Sequence, residues 1–493
     1  MSKNVKTLLY IGIFVLCMAV VLLVLVFTAP KDTSEDTNVT DTTTISLVAH
    51  ERDDLKKVTV SNAEGGFVLT QGAKGLCIPA LDGFKTTTTT INAAGNCIAA
   101  INAQQLVEEN AKDLSKYSLA EDNYEAKVEV ELQSGEIYTV YYGKFTPDGA
   151  NVYIRLGDSS NVYTALANSS RYFYYNQNEY ISLIIMEELS QTNTAPTIDF
   201  LTITRKDLDY DIIFEDDTKN YSADEISMAS SQVMISPVYA YLDITHSNDI
   251  VYGLWGLTAT QAVKPFPTEE DFAEYGLDDP FCTVKLEAEL QVYELMIGDV
   301  ASYGYDEAGN PTTEPALYYG YFKGIDCIFT FATSEVPWTY FMPIDVLSSM
   351  MTSNYIYALD YIDIKLHNTE DISYYFELEG NIDEATLSGK LGPNEINVED
   401  FKILYQFMLK CPIDALCLEE PASDAKLLAT IEFARASGGG DTLEFYDAGN
   451  NRVIIKLNGT TSFSQPRSYL NVLESNLALF ASGAPADELQ EVW

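Results

Sequence analysis

The sequence predicts an α+β fold of three tandem related modules of antiparallel β-hairpins with helices, preceded by one N-terminal transmembrane helix. Three observations predict it. Two alternating apolar runs around a short polar turn recur at residues 57–71, 200–215 and 361–379, which is the pattern of a β-hairpin. A segment of small and apolar residues follows each, at 93–107, 250–263 and 398–409, and each reads as a helix. The run from Leu8 to Phe27 carries no charge.

At 1.5 Å per residue the 20 residues of that run span about 30 Å, enough to cross a bilayer core. Lys3 and Lys6 precede it and no acid does, so residues 1–7 are expected in the cytoplasm and the bulk outside the cell membrane. A cleaved signal peptide is the rival, but the run exceeds a usual h-region. A lipoprotein fits less well, because Leu16 rather than a small residue precedes Cys17. Residues 28–44 are polar and Thr-rich, and read as a flexible stalk with a reach of about 20–25 Å.

The modules are expected at 45–195, 196–355 and 356–493. The second holds the most legible stretch, from Thr268 to Asp299. Thr268 is an N-cap with Asp271 as its capping-box partner. Gly276 supplies a left-handed stop, and Pro280 prevents the helix from continuing. Two strand-like runs follow, the first with Val284 and Leu286 and the second from Val292 to Ile297. In the first module Asp113 to Leu119 repeats the pattern, with Ser118 in place of glycine and no proline, which predicts a looser stop. The stretch IYTVYYG at 137–143 parallels VYELMIG at 292–298. The third module lacks the Tyr-Gly-Leu stop but keeps strand-like runs at 428–433, 443–446 and 453–457. Closing helices are expected near 180–189, 344–350 and 469–480.

The stop Tyr275-Gly276-Leu277-Asp278-Asp279-Pro280, followed by Ile297-Gly298-Asp299, resembles a bacterial "domain of unknown function" family. The resemblance is densest over 200–351, thinner over 55–189, and weakest in the last third. It implies a membrane-anchored extracytoplasmic protein, often encoded beside ABC transporters of the gliding-motility type. It brings no catalytic residues.

The formal net charge of −44 excludes a nucleic-acid partner, which needs a basic footprint, and excludes adhesion to anionic headgroups. The three histidines, His50, His246 and His367, stand in separate contexts with no metal-ligand spacing, so no zinc site is expected. Asp306, Glu307, Asn310 and Glu314 offer oxygen ligands for calcium, but without EF-hand spacing they read as a solvated loop. The glycine-rich stretch Ser437 to Asp441 has no following Gly-Lys-Ser/Thr and reads as a loop between strands. Gly157-Asp158-Ser159-Ser160 resembles the nucleophile block of GDS-type esterases, and Asp243 with His246 supplies their D-x-x-H. The same glycine fits a turn between strands, and that reading is preferred. The 33 tyrosines offer a sugar platform, but those that alternate along strands, such as Tyr138 and Tyr142, read as core and edge packing. Six cysteines lie outside the apolar run: Cys77, Cys97, Cys282, Cys327, Cys411 and Cys417. At least four are expected as free thiols, with Cys282 and Cys327 the most plausible pair if a bridge forms.

These readings assign no catalytic, cofactor-binding or metal-binding residue and expect no enzyme. They point to a membrane-anchored extracytoplasmic accessory or interaction protein, held in the bilayer by Leu8 to Phe27. Its expected partner is a membrane protein, and the resemblance implies the permease of an ABC transporter complex. A surface module binding glycan or peptide is the alternative, and a GDS-type esterase comes third.

Overall fold

The computed structural model describes residues 44–190, 196–217, 230–306, 308–410 and 413–490. The run from Leu8 to Phe27, the stalk up to residue 43, Glu307 and Cys411 lie outside them. Among the described residues no helix is long and apolar enough to cross a membrane. The chain divides into two compact units, Met1–Cys77 with Thr89–Asn176 and Ile78–Thr88 with Gln177–Trp493.

The α+β expectation is corrected: the chain is mostly β, with 45% strand against 21% helix. Three large antiparallel sheets dominate. The first unit holds an eight-stranded sheet in the order Gly75–Cys77, Phe67–Gly72, Leu55–Asn62, Ala126–Leu132, Ile137–Phe145, Asn151–Leu156, Val162–Leu166, Gln105–Glu108. The second unit holds two nine-stranded sheets. One runs Ala240–Tyr241, Gln232–Ser236, Ile212–Asp216, Ile198–Arg205, Cys282–Ala288, Gln291–Tyr305, Pro311–Phe322, Cys327–Ala332, Gln261–Pro265. The other runs Asn394–Glu395, Thr386–Leu391, Ile372–Asn381, Leu359–Leu366, Leu427–Arg435, Gly440–Gly449, Arg452–Leu457, Thr460–Pro466, Ala415–Leu416. All three follow one scheme. A hairpin and its extension form one edge, a helix follows, a short strand crosses to the far edge, and four meandering strands fill the middle.

The helical expectation fails where a strand hides in an apolar window. Residues 93–107 divide into the end of the helix Thr88–Ala99 and the strands Ala100–Ala103 and Gln105–Glu108. Residues 250–263 divide into the end of the helix Ile244–Val251, a turn, and the start of Gln261–Pro265. Near 180–189 and 344–350 only the short 3-10 turns Gln177–Tyr180 and Pro343–Val346 form. The helices Val398–Leu409 and Ser468–Ala481 do form, because both present an apolar stripe to the third sheet. Phe401, Leu404 and Leu473 are fully buried there with Ile362, Ile364 and Phe445. Each such side chain contributes about 2 kcal/mol on burial.

The Tyr-x-Leu stops show why their text repeats. Ser118 takes φ 56° and ψ 48°, the left-handed conformation that Gly276 adopts at φ 68°. Serine accepts it at a cost of about 1–2 kcal/mol. Leu119 and Leu277 are both fully buried. The Tyr117 ring meets Tyr153 at 4.8 Å and 54°, and Tyr275 meets Tyr319 at 4.6 Å and 54°. Each tyrosine carbonyl then lies on a glycine of the adjacent strand. A Cβ on Gly143 would fall 2.1 Å from the Tyr117 oxygen, and one on Gly298 would fall 2.3 Å from the Tyr275 oxygen. The Asp299 amide donates to that same Tyr275 oxygen at 3.0 Å.

One buried carboxylate ties the second and third sheets. Asp441 is 2% exposed. Its Oδ1 accepts from the Tyr241 hydroxyl at 2.7 Å and from Asn458 Nδ2 at 2.8 Å. Its Oδ2 accepts from Asn354 Nδ2 at 2.8 Å. Burial raises its pKa, while these three donors and the nearby Arg435 charge lower it. All three hydrogen-bond partners donate, which suits an acceptor-only carboxylate.

Two outcomes follow. Gly298→Ala is expected to cost about 1–3 kcal/mol in urea denaturation, because its backbone neighbour cannot yield. Gly304→Ala, whose Cβ would meet Thr312 Oγ1 at 3.3 Å and the Glu314 carbonyl at 3.7 Å, should change stability far less. Asp441→Ala is expected to cost about 3–5 kcal/mol, leaving the donors of Tyr241, Asn354 and Asn458 without this acceptor. Tyr241→Phe should cost about 1.5–3 kcal/mol by the same measurement.

Candidate functional site

One concavity lies on the flank of the second sheet. Its first wall is the helix Ile244–Val251. Asp243 caps that helix, its Oδ1 accepting the Thr245 and His246 amides at 2.9 Å each. The same oxygen lies 2.8 Å from His246 Nδ1. The second wall is the segment of 3-10 turns Pro337–Thr339 and Pro343–Val346. Trp338, fully buried, joins the walls by donating from Nε1 to the Ile250 carbonyl at 2.9 Å. The Asp243 amide donates to the Val346 carbonyl at 2.9 Å and closes the other end.

Arg205 holds the second wall from below. It is 3% exposed, and its Nη1 donates to the Phe341 carbonyl at 2.7 Å and to the Trp338 carbonyl at 3.3 Å. Its Nε and Nη2 form a fork on Asp207 at 2.8 Å each. Hydrogen bonds from Arg205 hold the Asp207 carboxyl below the usual carboxylate range.

Between the walls lies a cavity of about 480 Å³, lined by Trp255, Tyr340 and Phe341 and by the acids Asp249, Glu335 and Asp345. His246 lines it too, and neither lysine nor arginine does. Asp345 is occupied as a cap, accepting the Met342 amide at 2.8 Å. The exposed carboxylates of Asp249 and Glu335 have no hydrogen-bond or ion-pair partner among the described residues. Trp255 also lines a second cavity of about 280 Å³ with Leu189, Pro196 and Tyr293. Trp255 and Tyr293 meet edge to face at 6.4 Å. Aromatic walls with unpaired carboxylates can hold a cation or an amphipathic chain.

The sequence-based candidates fall as follows. Gly157 turns at φ 47° between the strands Asn151–Leu156 and Val162–Leu166, and Ser159 Oγ accepts the Asn161 amide at 3.2 Å. Ser159 and Ser160 belong to the first unit, and Asp243 and His246 to the second. The structure does bring Asp243 and His246 together, but Asp243 is spent on the helix N-terminus. Its carboxyl is held below the usual range, first by the His246 amide. His50 stacks on Tyr138 at 5.9 Å, and His367 Nδ1 lies 2.6 Å from Asp371. Asp306 accepts the Ala308 and Asn310 amides at 2.9 and 2.8 Å and so shapes its own turn. No group of three metal-ligating side chains occurs among the described residues. Gly438 and Gly439 take positive φ just before the strand Gly440–Gly449, which carries Asp441. Cys77, Cys97, Cys282, Cys327 and Cys417 are free thiols. Burial pushes Cys282 and Cys327 up to about 12.

Sequence reasoning passed over Asp249, Trp255, Glu335 and Tyr340, which come from separate stretches. One signal was available: the chain has three tryptophans, and Trp255 and Trp338 both stand at this groove.

Acid titration checks the Arg205 support. Because the folded pKa of Asp207 lies below its unfolded value of about 3.9, the pair's contribution is complete above that pH and is lost as pH falls through the depressed value. Asp207→Asn is therefore expected to lower stability near neutrality and to flatten its fall below about pH 4, read from urea midpoints across pH.

Residues 78–195 match the family described as "Domain of unknown function (DUF4340)". The match falls on the first of the expected modules rather than on 200–351, where the resemblance reads as densest. No curated protein and no solved structure matches the chain.

Proposed function

We propose that this protein is a non-catalytic accessory subunit that works outside the cell membrane by docking to a membrane-protein partner. The observation that carries the reading is the groove around Trp255, whose walls are aromatic and whose Asp249 and Glu335 carboxylates have no partner among the described residues. Its surroundings add to it. Ile244, Tyr340, Met342 and Ile344 are exposed by 39–57% around the larger cavity. Leu290 is 102% exposed and Val292 58%, next to the smaller one. Exposed apolar side chains grouped beside concavities are the mark of an interaction surface. The uncharged run from Leu8 to Phe27 would hold the groove near the bilayer and raise its effective concentration for a membrane protein. The permease of an ABC transporter as that partner rests on the family resemblance alone.

Photo-cross-linking in native membranes tests the proposal. With p-benzoylphenylalanine at Leu290 or Tyr340, cross-links to one integral membrane protein are expected, well above those from the same group at Glu384, an exposed turn position of the third sheet. Self-links alone, or equal yields from all three positions, would sink it.

A further inference from the structure

We propose that the groove around Trp255 takes a basic residue of an extended partner segment, its cationic head between Asp249 and Glu335 and its stem on the rings of Trp255 and Tyr340. The inference rests on the docking reading and adds the chemistry of the partner.

Charge selects the cation. Three carboxylates line the larger cavity with no lysine or arginine, and two of the three lack a partner among the described residues. The walls select its shape. Long basic side chains carry an apolar stem and a charged head, and an aromatic face attracts that head. The neighbouring surface selects a polypeptide rather than a small ion. Trp255 is shared by both cavities, so a chain with its basic residue in the larger one has the smaller one next along its path. Beside the smaller cavity, the hairpin tip Glu289-Leu290 turns at φ 51° and 65° without a glycine. The two-residue turn between the paired Ala288 and Gln291 requires positive φ at both positions, and it leaves Leu290 fully exposed to water beside the smaller cavity. Apolar side chains of a partner segment would cover it.

The test uses the full chain in detergent micelles and three fluorescent nine-residue peptides that alternate leucine with arginine, glutamine or glutamate. Fluorescence anisotropy is read at low and high salt. The arginine peptide is expected to bind at least about tenfold tighter than the glutamine peptide, with the difference shrinking at high salt. Asp249→Asn with Glu335→Gln should weaken the arginine peptide about tenfold, and Tyr340→Ala should weaken it by a comparable factor. All these side chains are exposed, and thermal melts confirm folding. Because the chain is strongly acidic, Asp383→Asn with Glu384→Gln removes the same charge from a remote turn and should leave binding unchanged. Equal binding of the glutamine peptide, a double groove variant within twofold of wild type, or an equal loss in the remote variant would overturn the inference. If cross-links from Leu290 and Tyr340 still reach a membrane protein while the peptides show no preference, the cationic inference falls and the docking reading stands.

Discussion

Each large sheet depends on one long-range pairing, that of the first hairpin strand with the first strand of the later meander. In the first sheet Val58 faces Val130, in the second Ile203 faces Val284, and in the third Ile364 faces Ile431. These six side chains are fully buried. The loops closed by the pairing run to roughly 70–80 residues, and their closure entropy must be offset by the burial that follows. Only when this pair forms does the sheet have a continuous apolar face. Everything between the two strands, including a helix and the strand destined for the far edge, is placed as a consequence.

Smaller contacts then lock what the pairing brings near. In the first two sheets the left-handed residue after a tyrosine lets that tyrosine's carbonyl sit against a strand glycine, at a distance no β-carbon tolerates. The third sheet lacks the left-handed stop but keeps the contact, because a Cβ on Gly380 would fall 2.2 Å from the Tyr357 carbonyl oxygen. Asp441 adds a tie of another kind, a buried carboxylate that accepts from Tyr241 of the second sheet, from Asn458 of the third, and from Asn354 in the segment between them. A carboxylate in that position specifies one docking geometry, because any other would strand it without partners.

The groove around Trp255 follows from the same construction. The helix after the hairpin extension and the segment after the last meander strand both fall on one flank of the second sheet. Trp338 and Arg205 pin them there through backbone carbonyls. The polar groups of Trp338 and Arg205 are thereby satisfied, while Asp249 and Glu335 on the rim have no partner among the described residues. The lining of that rim holds no lysine or arginine, in a chain whose formal net charge is −44.

What the sequence by itself determined is local. Alternation at Val58 and Val60, at Leu201 and Ile203, and at Ile362 and Ile364 specifies strands, since a period of two puts those side chains on one face. The Thr268–Asp271 capping box and the stop at Gly276 were equally legible, because their hydrogen bonds close within a few residues. The helices of the third sheet were legible from their stripes. The tertiary structure alone decided the rest. Gln105–Glu108, Gln261–Pro265 and Ala415–Leu416 are too short to show a period, and they become strands only because a completed sheet offers them an edge. That is why an α+β reading gave way to a mostly β chain. Asp249, Trp255, Glu335 and Tyr340 meet from separate segments, and Asp441 finds Tyr241 across 200 residues. Burial and charge balance at such points are sums over neighbours that no short window contains, so they exist only once the long-range pairing has closed.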